Sequence, residues 1–150
     1  MHNSATMNTT QNRAVITAYF DAFNRGDIDG VCRLFSPDAE NFGVLARGGL
    51  HKARPIWEEL LGCFRMNSRV EAMVAEGDSV AVRSIERGTF SSPFRGIPPT
   101  GKPYEIIAMD WFALRGGKII QRWGAHDSAA VFRQMGVPLT SFNPMWNPAG

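Results

Sequence analysis

Four ionisable side chains in the second half of the chain stand on stretches that otherwise alternate like buried strands. They define the chemistry the protein could do. Period-two counting over 104–115 puts Asp110 on one face with Ile106, Ala108 and Phe112. A carboxyl interrupting such a set would have its pKa raised by desolvation, and a nearby guanidinium would oppose that shift. Over 118–126 the same counting groups Ile120, Arg122, Gly124 and His126. A cation and a residue able to relay protons near neutral pH therefore share a face. Over about 79–90, Glu86 falls with Val80, Val82 and Ser84. Gathered in one pocket, these groups would serve general acid/base catalysis with stabilisation of an oxyanion. Each also has a plainer reading: an Asp110–Arg122 structural ion pair, a solvated strand end at Glu86, and a satisfied structural histidine at 126.

Other chemistries find less support. The three histidines are His2, His51 and His126, with no ligand cluster of zinc-like spacing, so no metal is expected. Cys32 and Cys63 sit in apolar helical patterns and read as inert free thiols. The N-terminus has neither a basic nor an apolar region of a secretion signal, and with the free thiols this favours the cytoplasm. A net charge of +2 comes from thirteen Arg and three Lys scattered singly, which is not a nucleic-acid footprint. No apolar stretch is long enough to span a bilayer. The expected partner is a small molecule, and neither nucleic acid nor membrane.

The elements that must position these residues follow from periodicity. A chain of 150 residues with 44% apolar residues is one globular domain. Residues 1–11 read as a disordered polar tail, 12–138 as the domain, and 139–150, with Phe142, Met145 and Trp146, as an extension. Val15, Ala18, Tyr19, Ala22 and Phe23 recur at helical spacing and Asn24-Arg25-Gly26 ends that helix. Asp27 caps a second, with Ile28, Val31, Leu34 and Phe35 on its apolar face, stopped by Ser36-Pro37. Residues 38–51 read as irregular or weakly extended. A third helix opens with Pro55 in its first turn and carries Ile56, Trp57, Leu60, Leu61 and Phe64. Strands follow at about 69–75, 79–90, 104–115 and 118–126, the last two joined by Gly116-Gly117. Asp127 precedes a short helix, 128–135, and reads as its N-cap more than as an acid. Helices first and long antiparallel strands after argue α+β, with helices on one face of a strongly curved sheet.

Ala22-Phe23-Asn24-Arg25-Gly26-Asp27, Gly96-Ile97-Pro98-Pro99-Thr100-Gly101-Lys102, Gly117-Lys118-Ile119 and Arg133-Gln134-Met135-Gly136 form an ordered set over about residues 12–138. The chain resembles the SnoaL-like polyketide cyclase family of the nuclear-transport-factor-2-like superfamily. The resemblance implies a cone-shaped α+β barrel enclosing a deep apolar pocket. It also implies dimers through the outer sheet face and cofactor-free acid/base chemistry on small, often polycyclic molecules. The family's pocket aspartate on the last strand corresponds to Gly124 here, so Arg122 and His126 should point inward, and any acid or base must come from elsewhere. Asp110 resembles the position where ketosteroid isomerases hold a protonated aspartic acid. Glu86 matches an acid of the related epoxide hydrolases, whose arginine would fall at Ser84.

On this footing Asp110 is the expected general acid/base, Arg122 holds the oxyanion or orients Asp110, His126 relays protons and Glu86 supports. Tyr19, Phe23, Trp57 and Phe112 would form the substrate wall, and His51 would line the pocket mouth or bond its own loop. Trp111 and Trp123 fall on the outward face, suiting a homodimer. The expected function is a cyclase or isomerase acting on an apolar, oxygenated, polyketide-like molecule. A non-catalytic binder is the alternative that Gly124 favours. An epoxide hydrolase is weakened by Ser84 and Gly124 together.

Overall fold

The computed structural model describes residues 2–138. Three helices lead: α1 (His2–Asn24), α2 (Ile28–Arg33) and, after strands β1 (Phe35–Phe42) and β2 (Arg47–Gly48), α3 (Leu50–Phe64). Strands β3 (Asn67–Glu76), β4 (Ser79–Thr89), β5 (Pro103–Arg115) and β6 (Lys118–His126) follow, then helix α4 (Ser128–Met135). The strands form one curved, open, six-stranded sheet in the order β2-β1-β6-β5-β4-β3, with β3 to β6 an antiparallel meander. Among the described residues no helix is long and apolar enough to cross a membrane.

Burial alternates along β4 and β5 as period two requires. Val80, Val82, Ser84 and Glu86 are buried on β4; Tyr104, Ile106, Ala108, Asp110, Phe112 and Leu114 are buried on β5. α1 lays Ile16, Tyr19, Phe20 and Phe23 on this face, and α3 adds Ala53 and Trp57. A ring as fully buried as that of Phe112 contributes about 1.5–3 kcal/mol. Asn24 ties the end of α1 to β3 by a pair of 2.8 Å bonds to the backbone of Ser68. A second apolar cluster gathers around Phe64, Phe90, Phe94, Phe132 and Met135. Cys32 and Cys63 are free, half-buried thiols whose pKa burial raises.

Several local expectations need correction. Within the polar segment read as a tail, residues 2–11 are helical, because α1 runs through them from His2, with Asn12 buried and its amide on the carbonyl of Gly77. The 139–150 extension lies outside the described residues. Phe35 belongs to a strand rather than to α2, and 38–42 is regular. β1 pairs in parallel with β6, and its ladder shifts register between Phe35 and Glu40. That break is what lets Pro37, which has no N–H to donate, sit inside a strand. α3 starts five residues before Pro55. His51 and Pro55 both face solvent, where water can take up the carbonyl that a proline N–H would have bonded. On β6, Leu114 opposes Ile119 and Ala113 opposes Gln121, so Ile120 is an extra bulged residue. Ile119, fully buried, takes the core position expected for Ile120.

Candidate active site

The two apolar clusters do not merge. Along β4 and β5 the change from one to the other is marked by Ser84, Glu86 and Asp110, and Arg122 of β6 closes the same spot. All four are buried. The register explains why they meet: Asp110 opposes Gly124, Ala108 opposes His126 and Ser84 opposes Ala108. Arg122 Nη2 donates to Asp110 Oδ1 at 2.5 Å, and its Nη1 donates to Asn41 Oδ1 at 3.1 Å. His126 stands between the two carboxylates, with Nε2 3.3 Å from Asp110 Oδ2 and Nδ1 3.0 Å from Glu86 Oε1. Glu86 Oε2 accepts from the Tyr104 hydroxyl at 2.8 Å. The Glu86–His126 contact is close but poorly aligned, so Oε1 makes no directed hydrogen bond; nor does Arg122 Nε.

The same geometry accounts for a glycine at 124. A Cβ at residue 124 would lie 2.7 Å from Arg122 Nη2 and 3.1 Å from its Cζ. The guanidinium folds back along its own strand over Gly124 to reach Asp110. The space over Gly124 therefore holds a cation.

Charge states follow from competition between burial and partners. Burial pushes the Asp110 carboxyl upward, but Arg122 and His126 together outweigh it and hold the pKa below the ordinary value. The opposition between desolvation and Arg122 that the sequence leaves open thus resolves toward the carboxylate. Burial opposes the charge on Arg122 and is overcome, chiefly by Tyr19 and Asp110, so its pKa rises. For His126 burial favours the neutral ring, yet contacts with Asp110 and Glu86 prevail and push its pKa up to about 9. His126 is an imidazolium at neutral pH. Burial also raises the Tyr19 hydroxyl, whose ring faces the Arg122 guanidinium at 6.0 Å, and the Tyr104 hydroxyl.

Because the folded pKa of His126 exceeds its unfolded value of 6.5, its stabilising contribution is complete below 6.5 and disappears as pH rises through about 9. The stability advantage of the wild type over His126→Gln, read from urea unfolding, should be constant below pH 6 and shrink between pH 6.5 and 9.5. An advantage that grows over that interval would contradict the charged state.

The cluster forms one wall of a cavity of about 80 Å³, lined also by Tyr19, Phe20, Phe23, Trp57 and Ile56. Asp110, Arg122, His126, Glu86, Tyr19, Phe23 and Trp57 come together as the sequence suggests. Glu86 is not a solvated strand end, being 4% exposed. Phe112 does not line the cavity; it is core, edge-on beneath Tyr19 at 5.1 Å. His51 is on the outer side of α3's first turn, against Gly49, and also lies off the cavity. Asp127 is the N-cap of α4, accepting from Ala130 N at 3.0 Å. Asn41 and Tyr104 were missed. Asn41 lay in a segment without readable periodicity, and Tyr104 is one buried position beyond Ile106, a signal that parity carried. Among the described residues no group of His, Cys, Asp and Glu is arranged to hold a metal ion, and Arg122 against Asp110 would repel one.

The fold is an open α+β cone whose apolar cavity is walled on one side by a buried acid–base cluster. The chain belongs to the SnoaL-like polyketide cyclase family, whose model matches residues 13–135. It is similar to IdmH of Streptomyces antibioticus, a candidate polyketide cyclase, at 30% identity and a TM-score of 0.76, over 85% of this chain and 99% of that one. A candidate SnoaL-like polyketide cyclase from Jannaschia sp. CCS1 is 26% identical with a TM-score of 0.78, over 87% and 94%. AclR of Streptomyces galilaeus, a candidate hydroxylase, shares the fold at 23% identity and a TM-score of 0.79, over 87% and 99%. No curated protein matches the chain.

Proposed function

We propose that the protein is a cofactor-independent cyclase or isomerase that removes and returns a proton on an apolar, oxygenated, polyketide-like molecule. The observation that carries this reading is the buried Glu86–His126–Asp110–Arg122 cluster on the wall of an otherwise apolar cavity. Glu86, whose Oε1 makes no directed hydrogen bond, takes a proton from a carbon next to a carbonyl. The resulting enolate oxygen accepts from the unpaired Nε–H of Arg122, a buried donor that costs about 1–3 kcal/mol while unmet. In a cyclisation the enolate carbon bonds to a second carbonyl carbon, whose oxygen takes a proton from the His126 imidazolium. The proton on Glu86 then passes to His126 and restores the starting state. Asp110, held low by Arg122 and His126, is a weak base and serves to position both.

Propiophenone in D₂O provides the test. Its α-hydrogens should exchange about 10²-fold or more faster with the protein than in buffer, and Glu86→Gln should return the rate close to that of buffer. Propiophenone that binds yet exchanges at the buffer rate would leave the non-catalytic binder, the reading that Gly124 favours.

We further propose a homodimer through the outer sheet face. Phe42, Trp123, Trp111, Ala81 and Val74 are successive cross-strand partners over five strands. They form a transverse apolar stripe in which Val74 is 64% and Trp111 51% exposed. Trp111→Glu should shift light-scattering mass from dimer to monomer. A monomeric wild type would refute the assembly.

A further inference from the structure

The cavity does not stop at Glu86 and His126. A second chamber of about 90 Å³ opens on their other side, walled by Phe64, Phe94, Tyr104, Ile106, Phe132 and Met135. The chambers share Val44, Leu45, Leu60, Met66, Glu86 and His126, which puts the carboxylate and the imidazolium at the waist between them. The second chamber is firmly built. Phe64 contacts the rings of Phe94 and Tyr104 at centroid distances of 5.0 and 6.4 Å, and Thr100 Oγ1 bonds the carbonyl of Met135 at 2.8 Å. Its polar groups lie toward the waist, where the Tyr104 hydroxyl is on Glu86 and the Ser128 hydroxyl on the carbonyl of His126.

Size decides how a ligand must lie. An apolar protein cavity that admits benzene measures about 150 Å³. The two chambers, at about 80 and 90 Å³, are each smaller than this and neither is closed, so a ring seated in one reaches beyond it toward the shared waist. We propose that the chamber around Phe64 and Met135 is a second binding subsite for an apolar ring. A substrate would then span both chambers and present its middle, not its end, to Glu86 and His126. The inference rests on the acid/base reading and narrows its substrate to a carbonyl compound with apolar groups on both sides of the reacting carbon.

Benzophenone, with a carbonyl between two rings, and acetophenone, with one ring, test this by calorimetry and NMR. Benzophenone should bind roughly tenfold tighter or better. Nuclear Overhauser contacts should run from one ring to the Met135 methyl and from the other to Trp57. Met135→Trp, or Val131→Trp from the half-buried rim, should remove the gain and leave acetophenone binding unchanged. Equal affinities, absence of benzophenone binding, or contacts of both rings confined to the Trp57 side would overturn the subsite. Spanning contacts together with propiophenone exchange that ignores Glu86→Gln would keep the subsite and refute the acid/base reading. Glu86-dependent exchange with both rings on the Trp57 side would do the reverse.

Discussion

Arg122→Met should lower the unfolding free energy by about 3–5 kcal/mol, because removing one partner of a buried ion pair strands the other. Asp110 has 3% of its side chain exposed and would keep only His126 as a charged partner. For a chain of this length the change corresponds to a drop of roughly 10 °C in Tm. The double variant Arg122→Met/Asp110→Leu should recover most of that loss, since apolar residues of similar volume can replace a buried pair almost neutrally. The single variant should also be pH-dependent. Without Arg122, desolvation dominates at Asp110 and lifts its folded pKa above the unfolded value, so the penalty is largest at neutral pH and falls as the carboxyl protonates toward pH 5. Urea unfolding of the three proteins at pH 5 and 7 reads all of this. A double variant no more stable than Arg122→Met would show that the guanidinium acts by packing alone.

The parts of this site that strand parity could reach were legible in the sequence. Asp110 and Glu86 interrupt apolar faces on β5 and β4, and both faces are buried with the carboxylates included. The α+β class and helix α4 with its Asp127 cap followed equally from local pattern. What escaped depended on long-range pairing. β1 carries Pro37 and a register break, features that in a single chain read as a loop, and its place beside β6 is fixed only by the parallel ladder. Asn41 was lost with it, although its amide oxygen takes the second nitrogen of Arg122. The Ile120 bulge was likewise invisible, since both Ile119 and Ile120 fit a strand. The charge of Asp110 stayed open for a related reason. From spacing alone Arg122 could only oppose desolvation at Asp110, whereas the folded geometry adds His126 and tips the balance to the carboxylate. The second chamber is assembled from α3, the 91–102 loop, β5 and α4, and no local signal joins those segments.

Gly124→Asp puts a carboxylate where the resemblance to the family would place one, and it should impair the protein. The new Cβ would stand 2.7 Å from Arg122 Nη2. The atom it meets is the end of a flexible side chain, so the fold can yield by moving the guanidinium. The added carboxylate would then compete with Asp110 for Arg122. Asp110, losing its nearest cation, would move up in pKa, and three carboxylates would share two cations. Gly124→Ala separates the steric part from the charge, because it displaces the guanidinium without offering it a partner. Glu86-dependent exchange on propiophenone should fall roughly tenfold or more in both variants, as an interaction aimed at the enolate oxygen is lost. If instead Gly124→Asp exchanged faster than the wild type, the guanidinium over Gly124 would be blocking the site. In that case Arg122 could not be the oxyanion donor assigned to it.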